Sequence, residues 1–297
     1  MKQKLAATLV ALASLLVSLT LHAQDDGSSN NPGAAVLASL KKQTGEITLP
    51  NGIATLKLTD DFYFLDQANA RKMLTEGWGN PPQAADRVLG MVLPAHANPL
   101  SRQGWGVVIT YDEDGHVSDS DADTIDYAQM LKDMKQQAED SNSARKQAGY
   151  PEVHLSGWAE NPHYDPAAHK IYWAKDLQFA DGPDHTLNYF VRVLGRKGVL
   201  ELNAIAGMSQ LPAVREDMKQ VLALTEFTPG NRYNDFNSST DKVAAYGLAA
   251  LVAGGIAAKT GLLAKLGVLL LSLKKFVILI FAAIAGFFKK IFGGKKQ

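Results

Sequence analysis

Residues 243–297 constrain the fold more than any other part of the chain, because they are largely apolar and contain no acidic residue. Residues 243–258 carry no charge at all. A helix continued to Ala264 would be about 33 Å long at 1.5 Å per residue, which is enough to cross a bilayer. We therefore predict a transmembrane helix over residues 243–264. The length of the uncharged run argues against the alternative, a buried helical hairpin of a soluble protein.

The sequence after Ala264 alternates apolar stretches with lysines, and two arrangements fit it. In the first, a single span is followed by a basic amphipathic tail, residues 265–297, on the anionic inner leaflet. In the second, a membrane hairpin places Lys274 and Lys275 inside the bilayer, where each lysine costs about 3 kcal/mol near the centre. Both arrangements make membrane lipid the expected partner of this segment.

The N-terminus has the three-part layout of a secretory signal. Lys2 and Lys4 precede an apolar stretch, residues 5–21, and Ala23 offers a small residue for cleavage. We predict a signal peptide over residues 1–23, with an uncleaved signal anchor as the alternative. Export by this signal, together with the lysines of the tail, predicts a bacterial envelope protein in the cytoplasmic (inner) membrane. Its soluble domain would lie on the periplasmic side and its C-terminus in the cytoplasm.

Charge is distributed unevenly along the chain, although the formal net charge is zero. Residues 24–242 contain 20 basic against 30 acidic residues, a net charge of −10. This acidic body argues against nucleic acid as a partner, because phosphates are bound by clustered Lys and Arg. The chain has no cysteine. Its domain therefore has no disulfide framework and depends on its apolar core.

Short strand patterns alternate with helix patterns between the two ends of the chain. Hairpins separated by helices predict an α+β domain with an antiparallel sheet covered by helices on one side. The strongest hairpin signal is Asn51-Gly52 between apolar runs, and Gly195-Arg196-Lys197-Gly198 between two apolar runs predicts a further hairpin. Strands are predicted over residues 46–49, 53–58, 88–93, 104–111, 153–160, 169–179, 187–194 and 199–206, and helices over residues 66–76, from Asp121 or Asp123 to Glu139, and over 211–227.

This pattern divides the chain between its predicted membrane ends into three parts. Residues 24–45 begin with a polar stretch and are predicted to be mobile. Residues 46–227 contain the strand and helix patterns and form the predicted soluble envelope domain. Residues 228–242 are polar, include Pro229 and Gly230, and are predicted to be a tether to the membrane.

Two turns in which tryptophan follows glycine are candidate partner-binding sites, because a tryptophan beside a turn offers a rigid contact for a partner. The alternative is that these large aromatic side chains close the ends of the core. The candidate binding residues are Trp78, Asn80, Trp158, Glu160 and Tyr164.

The spacing of reactive residues matches no familiar catalytic or metal-binding motif. The stretch 112–126 contains seven carboxylates, but its glycine and acids lack the spacing of an EF-hand loop. The histidines from His154 to His185 lack the spacing of a zinc motif, and there is no cysteine nucleophile. We therefore expect no metal and no cofactor.

The leading functional hypothesis is a noncatalytic envelope module that binds another envelope protein or component. One alternative is an envelope hydrolase or transferase that uses the carboxylates near Asp119 or the histidines near His163. Convergence of those groups in one pocket would favour this alternative, and scattering over the surface would favour binding. Another is an accessory subunit of a membrane complex, joined through the C-terminal helix.

Six ordered segments of the chain together carry a family resemblance. The segments are WGNPP at 78–82, LGMVLP at 89–94, YDEDGHVSDSDA at 111–122, GYPEVHLSGWAENPHYD at 149–165, LNYFVRVLGRKGVL at 187–200 and DKVAAYGLAALVAGG at 241–255. They resemble a family of uncharacterised bacterial membrane-anchored proteins, the domain-of-unknown-function family 2167. The resemblance covers nearly all of the chain after the predicted signal. It implies an exported, membrane-attached protein and assigns no reaction, so no catalytic residue follows from it.

Overall fold

The structure is a computed structural model that describes residues 32–180 and 182–254. These residues form strands and helices that alternate along the chain. The strands are β1 (Lys42–Gln43), β2 (Glu46–Thr48), β3 (Ala54–Lys57), β4 (Phe62–Asp66), β5 (Val88–Pro94), β6 (Gly106–Asp112), β7 (Val153–Asp165), β8 (Lys170–Phe179), β9 (His185–Leu194), β10 (Val199–Gly207) and β11 (Thr225–Phe227). The α-helices are α1 (Pro32–Ser39), α2 (Gln67–Lys72), α3 (Tyr127–Gln147), α4 (Leu211–Ala223) and α5 (Leu248–Ala253).

The strands form two antiparallel sheets. The large sheet has eight strands in the order β1-β4-β5-β6-β10-β9-β8-β7, and the small sheet has three in the order β11-β3-β2. Neighbouring strands pair antiparallel throughout. The predicted α+β class with an antiparallel sheet is therefore confirmed.

The two clearest predicted hairpins are present. The β2–β3 hairpin turns at Asn51 and Gly52, whose φ angles of 62° and 64° suit an Asn-Gly turn. The β9–β10 hairpin pairs Leu194 with Val199 across the Gly195–Gly198 turn. In both hairpins the apolar runs and the turn residues specify the same register.

The large sheet is covered on both faces, so the prediction of helices on one side only is wrong. On one face, called the α4 face, Leu187, Val191 and Leu202 pack under α4 and the small sheet. The opposite face, called the α5 face, lies under α1, α2, α3 and α5. The central strands β9 and β10 are buried at nearly every position, and strands of that kind need cover on both sides.

Helix α3 begins later than predicted, at Tyr127 instead of at Asp121 or Asp123. The side chain of Asp126 accepts hydrogen bonds from the backbone N–H groups of Ala128 and Gln129, which makes Asp126 the N-cap. Strand β7 also continues past residue 160, through Pro162. It is an edge strand of the large sheet, where a proline removes no ladder hydrogen bond from a neighbour.

The described part of the predicted transmembrane helix, residues 243–254, packs against the large sheet. Helix α5 starts at Leu248 instead of Val243 and ends at Gly254, whose φ of 101° is left-handed. Leu248, Leu251 and Val252 are buried in one cluster with the α5 face. Within residues 32–180 and 182–254, no helix is long and apolar enough to cross a membrane. Residues 255–264, like the predicted signal peptide (1–23) and tail (265–297), lie outside the described residues.

The segment predicted as a tether, residues 228–242, is instead fastened to the domain. The guanidinium of Arg196 donates to both carboxylate oxygens of Asp241, at 2.7 and 3.0 Å. This ion pair holds the pKa of Asp241 well below its usual range. At the other end, the predicted mobile segment contains α1 and β1, and β1 pairs with β4. Residues 24–31 lie outside the described residues.

Candidate functional site

A cavity of about 400 Å³ opens between the loop that follows β6 and the far end of the β7–β8 hairpin. The loop and the first residue of α3 form one wall, and the end of β7 and its turn form the other. Carboxylates and aromatic rings dominate the lining, which is Asp119, Ala122, Asp123, Tyr127, Pro162, His163, Tyr164 and Pro166.

A hydrogen-bonded group crosses the cavity from one wall to the other. The hydroxyl of Tyr164 donates to Oδ2 of Asp119 at 2.7 Å and lies 3.3 Å from Nδ1 of His169. Burial, and then the hydrogen bond to Asp119, raise the pKa of Tyr164 above its usual value. Tyr164 is therefore protonated at neutral pH, and Asp119 accepts the hydrogen bond that its hydroxyl donates.

A stack of aromatic rings packs next to the hydrogen-bonded group of Tyr164, Asp119 and His169. The ring of Tyr233 lies between His169 and His116, with centroids 4.1 and 4.3 Å away, and His116 stacks on Phe236 at 3.9 Å. The hydroxyl of Tyr233 donates to the carbonyl of Val117 at 3.1 Å. Burial raises the pKa of Tyr233 to about 12 and lowers the pKa of His116. The segment after β11 thus stabilises one wall of the cavity.

Asp123 is the second carboxylate of the cavity. In the described part of the chain its side chain makes no hydrogen bond or ion pair. Asp119 accepts from the hydroxyl of Tyr164 through Oδ2, which also lies 3.9 Å from Nδ1 of His169, and its charge contributes to the raised pKa of Tyr233. The cavity therefore offers negative charge to a ligand beside the faces of aromatic rings, an environment that favours cations.

The loop that lines the cavity also holds helix α5. Both carboxylate oxygens of Asp121 accept from the α5 N-terminus, from the N–H of Leu248 at 2.9 Å and of Ala249 at 3.1 Å. Asp114 accepts from the hydroxyl of Tyr246 at 2.8 Å. A side chain at Gly247 would meet the Asp121 carboxylate at 2.6 Å, so glycine is required there for this contact. One loop thus connects the cavity to the start of the apolar C-terminal sequence.

The first predicted binding turn lies outside the cavity lining, and its two candidate side chains are buried. Trp78 is only 2% exposed, and its indole N–H donates to the carbonyl of Pro99 at 3.0 Å. Asn80 is also buried, and its amide donates to the carbonyl of Leu74. Trp78 belongs to the apolar cluster under α2 on the α5 face, the kind of packing that the core-closing alternative describes, and partner binding at this turn stays a prediction.

The three candidate residues of the second predicted turn lie in three different environments. Tyr164 lines the cavity. Trp158 lies beneath it, half-buried, and its indole N–H donates to the carbonyl of Tyr127 at 3.4 Å. Glu160 accepts from Arg215 of α4 at 2.7 Å, outside the cavity lining. Of the five predicted binding residues, the cavity lining includes only Tyr164.

Sequence reasoning missed Tyr127, Asp123 and the supporting ring of Tyr233 as members of one site. The acidic stretch 112–126 was the available signal, because it supplies both Asp119 and Asp123, although its spacing matches no calcium-binding loop. Among the described residues no group of three or more His, Asp or Glu side chains is placed to hold a metal ion. Burial and the hydrogen bond to Asp119 raise the pKa of Tyr164, so its hydroxyl is not activated as a nucleophile.

Comparisons with known proteins identify a family and a distant structural likeness. The family model described as "Protein of unknown function (DUF2167)" matches residues 41–285, which confirms the family resemblance of the sequence. No curated protein matches. Among solved structures, the chain is similar to the cyanobacterial PsbP (CyanoP) from Synechocystis sp. PCC 6803, with 9% identity and a TM-score of 0.33. That match covers 64% of this chain and 94% of the other.

Proposed function

This chain belongs to the family of proteins of unknown function DUF2167, and on that premise we propose that it is a noncatalytic binding module of the bacterial envelope. Its ligand site is the cavity beside Asp119, and the group that it recognises is a cation, such as the guanidinium or ammonium of another envelope molecule. One observation carries the proposal: Asp119 and Asp123 line one open cavity with the rings of Tyr127 and Tyr164.

The charge of the site and of the domain support a cationic ligand. Residues 24–242 carry a net charge of −10, which steers cations toward the domain from a distance. Inside the cavity, a planar guanidinium can pair with a carboxylate and stack on a ring at the same time. The aromatic side chains of Tyr127, Tyr164 and His163 line the cavity and supply rings for such stacking.

The place of action that we propose rests on the sequence of the two ends. The secretory layout of residues 1–23 and the apolar, lysine-rich sequence up to residue 297 support an exported domain attached to the inner membrane. The domain then faces the periplasm, and the loop that binds the ligand also holds the residues from which the apolar C-terminal sequence continues.

Binding of arginine amide to the full chain tests the proposal by isothermal titration calorimetry. Loss of one hydrogen-bonded charge costs about 1.5–3 kcal/mol, so Asp123→Asn should weaken binding about tenfold or more. Asp60→Asn is the matched control, because it removes the same charge from an exposed residue between β3 and β4. Equal weakening by both variants, or no binding to the unsubstituted chain, would contradict the proposal.

Two observations favour the enzyme alternative. Asp119, Asp123 and His163 converge in one cavity. The hydroxyl of Tyr164 also contacts both Asp119 and His169. A hydrolase or transferase acting here would lose turnover in Asp119→Asn while retaining the fold. Turnover of an envelope ester, amide or glycoside by the full chain, abolished by that substitution, would replace the binding module by an enzyme.

A further inference from the structure

The centre of the α5 face contains polar side chains that the cavity does not use. Strand pairing places Lys175 of β8 directly opposite Asn188 of β9, and Asn203 of β10 opposite Phe190, two residues along β9. Asn188 is 0%, Asn203 1% and Lys175 8% exposed. With the indole N–H of Trp173, which lies opposite Phe190 on β8, these three side chains form what we call the central patch.

The polar atoms of the central patch have no partners in the described part of the chain. Both amide atoms of Asn188, both of Asn203 and the indole N–H of Trp173 are buried without a hydrogen bond. Buried polar groups in native proteins are almost always hydrogen-bonded, so a cluster of unpaired ones requires a cause. Three neighbouring residues whose buried polar atoms lack hydrogen bonds indicate that a bound ligand, rather than another part of the chain, is their partner.

The adjacent residues of the same face show that this deficiency is local. Arg192 forms an ion pair with Glu201 directly opposite it on β10. Arg192 also donates to the carbonyl of Leu251, in α5, at 2.6 Å. The Arg192–Glu201 ion pair, whose polar atoms have partners, therefore lies next to the central patch, whose polar atoms do not.

The central patch also has an unbalanced positive charge. Glu201 forms an ion pair with Arg192, and Lys175 makes no ion pair within residues 32–180 and 182–254. Its ammonium lies 5.0 Å from the centroid of the Phe190 ring, which offsets only part of the cost of burial. Burial, and then the charge of Arg192, lower the pKa of Lys175 to about 8, so at pH 7 most of these side chains are still protonated.

The surrounding helices leave the central patch at the meeting point of three apolar clusters. Helices α1 and α2 pack toward Ile205, α5 packs over Ile171, and α3 packs over Leu177. Each of these residues neighbours the patch on β8 or β10. The patch is thus a donor-rich region enclosed by apolar side chains, where a charge-assisted hydrogen bond is strong.

We propose that the central patch binds a small oxyanion, the carboxylate or phosphate group of a ligand, through the Lys175 ammonium and the amide N–H groups of Asn188 and Asn203. The anion balances the charge of Lys175 and gives the unpaired donors acceptors. This site is separate from the cavity beside Asp119, which is acidic and suits cations. Failure of one site leaves the other proposal intact.

Thermal unfolding of the full chain tests this site with two probes, sodium acetate and sodium phosphate, against sodium chloride at the same ionic strength. We expect at least one of the two oxyanions to raise the Tm in a saturable way, and the more effective one identifies the ligand group as carboxylate or phosphate. Chloride alone should give no saturable increase.

Two substitutions and a control locate the effect. Lys175→Met should weaken the oxyanion affinity at least tenfold, and Asn188→Leu, which keeps the lysine, should weaken it severalfold. Lys170→Met is the control, because Lys170 lies on the same strand, and its side chain projects from the opposite face of the sheet. The proposal is overturned if neither oxyanion stabilises the unsubstituted chain more than chloride, or if the Lys170 and Lys175 variants lose affinity equally.

Discussion

The two faces of the large sheet are built on different principles. The α4 face is one continuous apolar cluster that joins β5, β6, β8, β9 and β10 to α4 and the small sheet. The α5 face is divided into three smaller clusters under separate helices, and between them lie polar residues such as Asn188, Arg192 and Glu201. Both proposed binding sites are associated with the α5 face.

The two faces therefore depend on different kinds of burial within one sheet. Burial of apolar surface stabilises the α4 face by about 25 cal/mol per Å² and requires no specific partner for any atom. Every buried polar atom of the α5 face needs its own acceptor or donor. Substitutions should therefore have effects of different kinds on the two faces, and the following experiments test this.

The largest effect is expected at the buried ion pair of the α5 face. Arg192→Met leaves Glu201 as a buried charge without its partner, which should cost about 3–5 kcal/mol of unfolding free energy. Denaturant unfolding of the full chain measures this loss. The double variant Arg192→Met/Glu201→Leu should recover most of it, since both charges of the ion pair are then removed together. A double variant as unstable as the single one would contradict this account.

Truncation of the apolar cluster on the α4 face should have the next largest effect. Leu202 is 0% exposed, and Leu202→Ala should cost about 2–5 kcal/mol through lost burial and a cavity. The next residue, Asn203, lies on the α5 face, and its amide makes no hydrogen bond within residues 32–180 and 182–254. In the same unfolding experiment Asn203→Leu should be neutral or stabilising, because it removes a buried polar group. If the two neighbours destabilise equally, the contrast between the faces is wrong.

A smaller effect is expected where the cavity loop holds helix α5. Asp121→Ala removes the acceptor for two N–H groups of α5, which should cost about 1 kcal/mol. Hydrogen exchange at Leu248 and Ala249 should accelerate in this variant. Asp123→Ala, two residues away, is the control and should change neither the stability nor the exchange of α5.

The smallest effect is expected for the pH dependence of stability, through His116 at the margin of the α5 face. Burial lowers the pKa of His116 below its ordinary 6.5, although Asp119 and Asp241 partly oppose this. As pH falls below about 6.5, the unfolded chain binds the proton before the folded chain, so stability should decrease. His116→Phe preserves the stack on Tyr233 and should show a weaker decrease between pH 7 and 5. An unchanged pH dependence of unfolding would exclude His116 as its source.

The sequence alone determined the local elements of the fold. The Asn51-Gly52 turn, the apolar alternation of β8 and the stripe of Val214, Met218 and Val221 on α4 predicted hairpins and a helix at the observed places. These features depend on residues close in the chain, whose spacing is visible directly. Ends were less predictable: the predicted helix 211–227 stops at Ala223, because residues 225–227 pair with β3.

Only the tertiary structure decided which residues work together. Asp121 or Asp123 was predicted to begin α3, but the carboxylate of Asp121 caps α5, which is remote in sequence. Tyr164 and Asp119 meet because β7 returns beside the loop after β6, and the unpaired amides of Asn188 and Asn203 become neighbours through the register of β9 and β10. The residue type of a capping or binding side chain does not reveal which distant group it contacts. Its partner is fixed by long-range strand pairing, and no local spacing in the sequence records that pairing.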